Sequence, residues 1–174
     1  HYQVAWSQLE SGKTAEARAA FEKARGEANA EFAWLVDDGL AWVAYFEKNY
    51  DAADKAFKAV LERTPAAYLS SKGLGYVAVA RKQPAAAAGY LTTSFTQAPF
   101  QGVIAYTTPA LKMLEDGAAS EARTVLDLGA RAYPYSADIQ YLLARSLLAL
   151  KDDKGASRAA AAAAALAPLY IEPG

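Results

Sequence analysis

Small and large apolar residues return along this chain at fixed intervals. Alanine stands at Ala17, Ala53, Ala87, Ala122 and Ala156, and four residues later come Phe21, Phe57, Leu91, Leu126 and Ala160. Three residues further on are Ala24, Val60, Ser94, Gly129 and Ala163. Upstream of each alanine, a second register reads Val4-Ala5, Leu40-Ala41, Leu74-Gly75, Pro109-Ala110 and Leu143-Ala144. Spacings of three and four place such residues on one helix face. A small residue with a large apolar one a turn later lets two helices approach closely and fills the space between them. Polar and turn-forming residues punctuate the pattern. Between Pro65 and Pro99 it predicts two helices, Ala67–Arg81 and Pro84–Gln97, joined by Lys82-Gln83.

The unit repeats. Pro65, Pro99, Pro134 and Pro168 fall 34, 35 and 34 residues apart, and the small-residue columns keep the same period after a first step of 36. In its small, aromatic and proline markers the pattern resembles the tetratricopeptide repeat, a helix–turn–helix unit of about 34 residues. The resemblance covers nearly the whole chain in units of about 1–31, 34–67, 68–101, 103–136 and 137–170. It implies an all-α fold, a right-handed superhelical array of antiparallel helix pairs. An alanine-rich bundle is the alternative, but a bundle requires no fixed period.

Several units depart from the pattern. Unit 1 has Asn29 where the proline falls elsewhere, and its turn Ser11-Gly12-Lys13-Thr14 offers a glycine to end one helix and Thr14 to cap the next. Asn49 and Asp51 suit the same work in unit 2. Asp37 stands where the family carries a bulky aromatic, which weakens the joint expected there. Pro109 falls in mid-course of a first helix, so a shortened helix capped by Thr108 is expected, with Gln101–Thr107 as a separate turn or kinked extension. Seven alanines, Ala159–Ala165, give the last helix neither bulk nor charge. More chain, another subunit or the tail Leu169-Tyr170-Ile171 is expected to cover that end.

Composition narrows the functions available. With 18 basic and 19 acidic side chains the net charge is −1, which gives nucleic acid or an anionic membrane surface nothing to attract it. Residues 83–111 carry no charge, yet Pro84, Pro99 and Pro109 with several glutamines and threonines argue against a spanning helix. The chain contains no cysteine and its one histidine is His1, so a Ser-His-Asp triad, a thiolate site and a multi-histidine metal site are all excluded. Gly73-Leu74-Gly75 lacks the rest of a phosphate loop and fits close helix contact better. The acidic pairs Asp37-Asp38, Glu115-Asp116 and Asp152-Asp153 point about 100° apart on a helix and cannot flank one substrate bond. No catalytic residue, metal or cofactor is expected. No targeting signal is legible, and a chain opening on His1 reads as a fragment or processed form, cytoplasmic or periplasmic.

The resemblance places the candidate site. In this family the first helices line the concave face and commonly bind peptides there. Carried over by position, one column reads Trp6, Trp42, Tyr76, Leu111, Arg145 and its neighbour Tyr2, Asp38, Lys72, Thr107, Tyr141, with Tyr45 one turn beyond Trp42. Trp6, Trp42 and Tyr76 are expected to form a ladder of rings along the inner wall, suited to recognition. Asp38, Lys72 and Arg145 would orient a partner. The alternative is that the rings fill the joints between units. The lysine–arginine–asparagine clamp by which some members hold a peptide carboxylate is absent, so an apolar or aromatic peptide, or a partner helix, fits better. The expected function is a non-enzymatic protein-interaction scaffold. The alternatives are self-assembly, through residues 83–111 and the alanine helix, and carbohydrate stacking on Trp6, Trp42 and Tyr76.

Overall fold

A computed structural model describes residues 1–29 and 31–167. Among these residues the helices are α1 (Tyr2–Glu10), α2 (Thr14–Glu27), α3 (Ala33–Phe46), α4 (Tyr50–Arg63), α5 (Tyr68–Ala80), α6 (Pro84–Gln97), α7 (Val103–Glu115), α8 (Ala119–Ala132), α9 (Ala137–Ala149) and α10 (Asp153–Leu166). They pair in sequence as five antiparallel hairpins, and no strand occurs among the described residues. Pro168 and the tail 169–171 lie outside the described residues.

The five hairpin turns share one backbone solution. Each places a single residue in the left-handed region: Gly12, Lys48, Lys82, Gly117 and Lys151. The next amide then reaches back to a carbonyl five residues earlier. Lys13 N–H donates to the Gln8 carbonyl at 2.8 Å, and Gln83 N–H to the Ala78 carbonyl at 2.9 Å. That bond satisfies a carbonyl orphaned at the helix end. Asn49 and Asp152 cap the following helices by accepting from Ala52 N–H and Gly155 N–H at 3.2 and 2.9 Å. Thr14 does not cap α2. Lys13 holds the cap position, and Thr14 is already the first helical residue.

Stacking of the hairpins follows from size complementarity. Phe21 on α2 and Phe57 on α4 are fully buried, and each ring is seated on a glycine of the next unit, Gly39 and Gly73. A Cβ on either glycine would be driven into the ring. First helices of successive units touch one another, α1 on α3 through to α7 on α9. Among the second helices only α6 and α8 pack together to any comparable extent. Only the first helices meet at every joint, as the inner row of a superhelix does, and they form the concave wall.

Unit 4 is irregular, in a different way from the expectation. α7 runs unbroken from Val103 to Glu115 with Pro109 buried in its interior. Proline donates no N–H, which leaves the Ala105 carbonyl without its helical partner. The Tyr76 hydroxyl of α5 donates to that carbonyl at 3.4 Å. A tertiary hydrogen bond thus replaces a missing local one, and the helix continues. Ahead of it, Gly102 takes φ +88°, and the Gln101 amide donates to the Ser94 hydroxyl at 2.9 Å and the Ala98 carbonyl at 2.8 Å. The Tyr106 hydroxyl donates to the Pro99 carbonyl at 2.6 Å. Tyr106 is fully buried, stacked on Phe95 at 3.8 Å, and burial pushes its hydroxyl up to about 12. This ring pair props α7 away from α6, so in the following unit α6 packs on α8 instead.

Tyr76 also packs against both of the main core clusters, one running from Ala5 to Val77 and the other from Ala78 to Leu142. The uncharged span 83–111 contributes Ala87, Leu91, Phe95, Tyr106 and Ala110 to the second cluster, so internal burial accounts for much of its apolar character. Asp37, where an aromatic was expected, ties three helices instead, with Arg25 of α2 at 3.0 Å and Arg63 of α4 at 2.7 Å. Among the described residues, no helix is long and apolar enough to cross a membrane.

Candidate functional site

The concave wall divides into two halves of different character. Its N-terminal half is closed by its own side chains. Trp42 is only 6% exposed, and its ring lies 5.4 Å from Phe57, 5.4 Å from Tyr76 and 5.5 Å from Tyr45. The open face expected of Trp42 is covered, because the approach that Gly73 permits brings Phe57 and Tyr76 against the ring. The expected ladder is also interrupted. Trp6 packs on Phe21 at 5.5 Å and Tyr2 at 6.3 Å within its own unit, while Trp42 and Tyr76 pair across the next joint. Without an open Trp42 face the carbohydrate-stacking alternative loses its central platform. Tyr2, Tyr45 and Tyr76 are half-buried, and burial raises the hydroxyl of each.

Asp38, expected to orient a partner, has no exposed surface. Ser70 of α5 donates to its Oδ1 at 2.6 Å, while Oδ2 has no partner. Burial pushes this carboxyl up to about 7, against the opposing pull of the Ser70 hydroxyl and the nearby Lys72 ammonium. Lys72 is itself lowered by burial, an effect that the Asp38 charge opposes, and its Nζ sits 5.8 Å from the centre of the Trp42 ring. These groups bind unit 2 to unit 3, and they face inward rather than toward solvent.

The C-terminal half is open. Ile104 and Leu111 share one face of α7, seven residues apart, and are 75% and 38% exposed. Tyr141 and Leu148 repeat the arrangement on α9, at 57% and 63%. Between the two helices lies a hollow of about 230 Å³ lined by Thr107, Thr108, Leu111, Asp138, Tyr141 and Leu142. It meets, at Asp138, a larger hollow of about 780 Å³ along the α8–α9 turn, bounded by Val103, Tyr133, Tyr135 and Ala167. Arg145 is exposed and lies 5.9 Å from the Tyr141 ring, in cation–π contact.

Of the residues expected to form the site, the structure therefore brings Tyr141 and Arg145 to the open half. Asp38, Trp42, Tyr45, Lys72 and Tyr76 gather in the closed half, and Tyr2 and Trp6 pack at the first unit. Ile104, Asp138 and Leu148 did not stand out in the sequence pattern. For Ile104 and Leu148 the signal was the seven-residue step, from Leu111 and from Tyr141, along the same inner faces; Asp138 lies one turn before Tyr141.

No protein-family model matches the sequence, and neither does any curated protein. Solved structures match over nearly the whole chain. MamA from residue 41 to its end, from Desulfovibrio magneticus RS-1, superposes with a TM-score of 0.70 at 20% identity, covering 98% of this chain and 96% of that one. YrrB, described as a TPR protein with an unusual peptide-binding site, gives 0.63 at 19%, covering 95% and 84%. The protein TTC0263 of Thermus thermophilus, described as a thermophilic TPR protein, gives 0.64 at 18%, covering 95% and 89%. At such identities the likeness establishes the fold. Five stacked hairpins, a touching inner row and these superpositions together make the chain an α-solenoid of the tetratricopeptide-repeat fold.

Proposed function

We propose that this protein is a non-enzymatic scaffold that binds a peptide or protein segment on its concave wall, over α7 and α9. The observation that carries the reading is the exposed quartet Ile104, Leu111, Tyr141 and Leu148, of which Leu111 and Tyr141 line an open hollow. This ring and three branched chains face solvent on a wall whose other half is filled, and exposed apolar clusters of this kind characterise recognition surfaces. The peptide-binding site named for YrrB, a structure of the same fold, is consistent with this use of the surface.

The test is selection of displayed random peptides on the whole chain, followed by binding to Leu111→Asp and Tyr141→Ala variants. Selected peptides should lose roughly ten-fold or more in affinity on either variant, as truncation of an interface anchor does, with circular dichroism unchanged. Peptides that bind both variants as tightly as the parent would place recognition elsewhere and refute the assignment.

A further inference from the structure

We propose that the hollow between α7 and α9 takes a peptide segment in which a basic and an acidic side chain flank a leucine-sized apolar one. This rests on the scaffold reading above and adds the chemistry of its ligand. The hollow holds about 230 Å³, and Leu111, Tyr141 and Leu142 wall it with apolar surface, a space suited to one large aliphatic side chain rather than a helix. Its hydroxyls are neutral, and Thr107 already donates to the Val103 carbonyl at 3.3 Å. Asp138 is the single carboxylate in the lining.

Asp138 stands near the start of α9, and Arg145 follows two turns along the same helix. Seven residues at about 1.5 Å each separate the two positions by roughly 10 Å. Tyr141 lies between them. Among the described residues, neither charge has an ion-pair partner, whereas Lys112 on α7 is held by Glu115 and Asp116 at 3.5 and 3.3 Å and does not compete. The wall therefore presents a negative end, an apolar pit and a positive end in that order. An extended chain advances about 3.3 Å per residue, so roughly three residues bridge the two charges. The complementary segment is basic, apolar, any residue, acidic, with its basic group at Asp138 and its acidic group at Arg145. The closed half offers no such pattern, because Asp38 is enclosed by Ser70 and Lys72.

The test is a nuclear magnetic resonance titration of the whole isotope-labelled chain with three capped tetrapeptides: Lys-Leu-Ala-Glu, Gln-Leu-Ala-Gln and Glu-Leu-Ala-Glu. The first should shift the amides of Thr107, Leu111, Tyr141 and Leu142. It should bind about ten-fold more tightly than the glutamine peptide, two exposed ion pairs each giving about three-fold. The peptide with two glutamates should bind no better than the glutamine one, since its first charge meets Asp138. Asp138→Asn and Arg145→Gln should each remove about three-fold of the preference while leaving the glutamine peptide unaffected. Equal affinity of the three peptides for the α7–α9 hollow would overturn the charge assignment and leave the scaffold reading standing. Shifts centred on Trp42 and Tyr76, or no shift with any of the three at millimolar concentration, would overturn it as well. Failure of the displayed peptides to depend on Leu111 and Tyr141 is the separate result that removes the scaffold reading.

Discussion

Replacing Asp38 by asparagine changes the charge of one buried atom group and little else. In the folded chain the carboxyl titrates at about 7, against an ordinary value of 3.8, with burial as the main cause. The folded state then binds a proton more tightly than the unfolded chain does, and stability falls as pH rises between these two values. Each unit of the gap is worth about 1.4 kcal/mol, so the full interval amounts to roughly 4 kcal/mol, present as extra stability at about pH 4 and lost above about pH 7. Between about pH 5 and pH 8 the loss is about 3 kcal/mol. An asparagine side chain would still accept from Ser70 yet carry no charge, so Asp38→Asn should flatten the profile over this window. Its gain at alkaline pH is smaller than the full interval, because Lys72 loses the negative neighbour that supports its own charge. A net gain of about 1–3 kcal/mol at about pH 8 is expected. The assay is urea unfolding followed by circular dichroism across the window, in a His1→Gln background that keeps the histidine's titration out of it. A flat profile for the parent, or an Asp38→Asn variant that retains the slope, would refute the burial argument.

Gly73→Ala should destabilise by about 1–2 kcal/mol, the overpacking against Phe57 exceeding the helix-propensity gain of alanine, and the loss should shrink in a Phe57→Leu background when both are measured by urea unfolding. Pro109→Ala should stabilise by about 1–3 kcal/mol by restoring the bond to the Ala105 carbonyl, and hydrogen exchange should report slower opening along α7. Lys82→Gly removes a left-handed side-chain clash from the α5–α6 turn and should raise the unfolding temperature by about 1–3 °C, the strain relieved slightly outweighing glycine's entropy.

Much of the architecture is legible in residue order because its determinants are local. A helical hairpin needs a small residue, a large one four positions later and a turn, and these recur within each unit's own span. The α6 boundaries and the Lys82-Gln83 link were readable for that reason. The inner row was assignable too, since position within a repeat decides which face a residue occupies. Tyr141 and Arg145 stand exposed on that row, as their place in the repeat suggested.

What residue order left open is everything that depends on the distance between units. Whether Trp42 faces a groove or a neighbour depends on how closely α3 and α5 approach, and Gly73 with Phe57 decides that from opposite sides of a joint. The fate of Asp38 turns on Ser70 and Lys72, more than thirty residues downstream. Pro109 broke a local rule, and the bond that keeps its helix whole comes from Tyr76 in the preceding unit. Local pattern thus fixed which faces the repeats present, and tertiary contact decided which of those faces stay open, because burial is a property of pairs brought together across the joints.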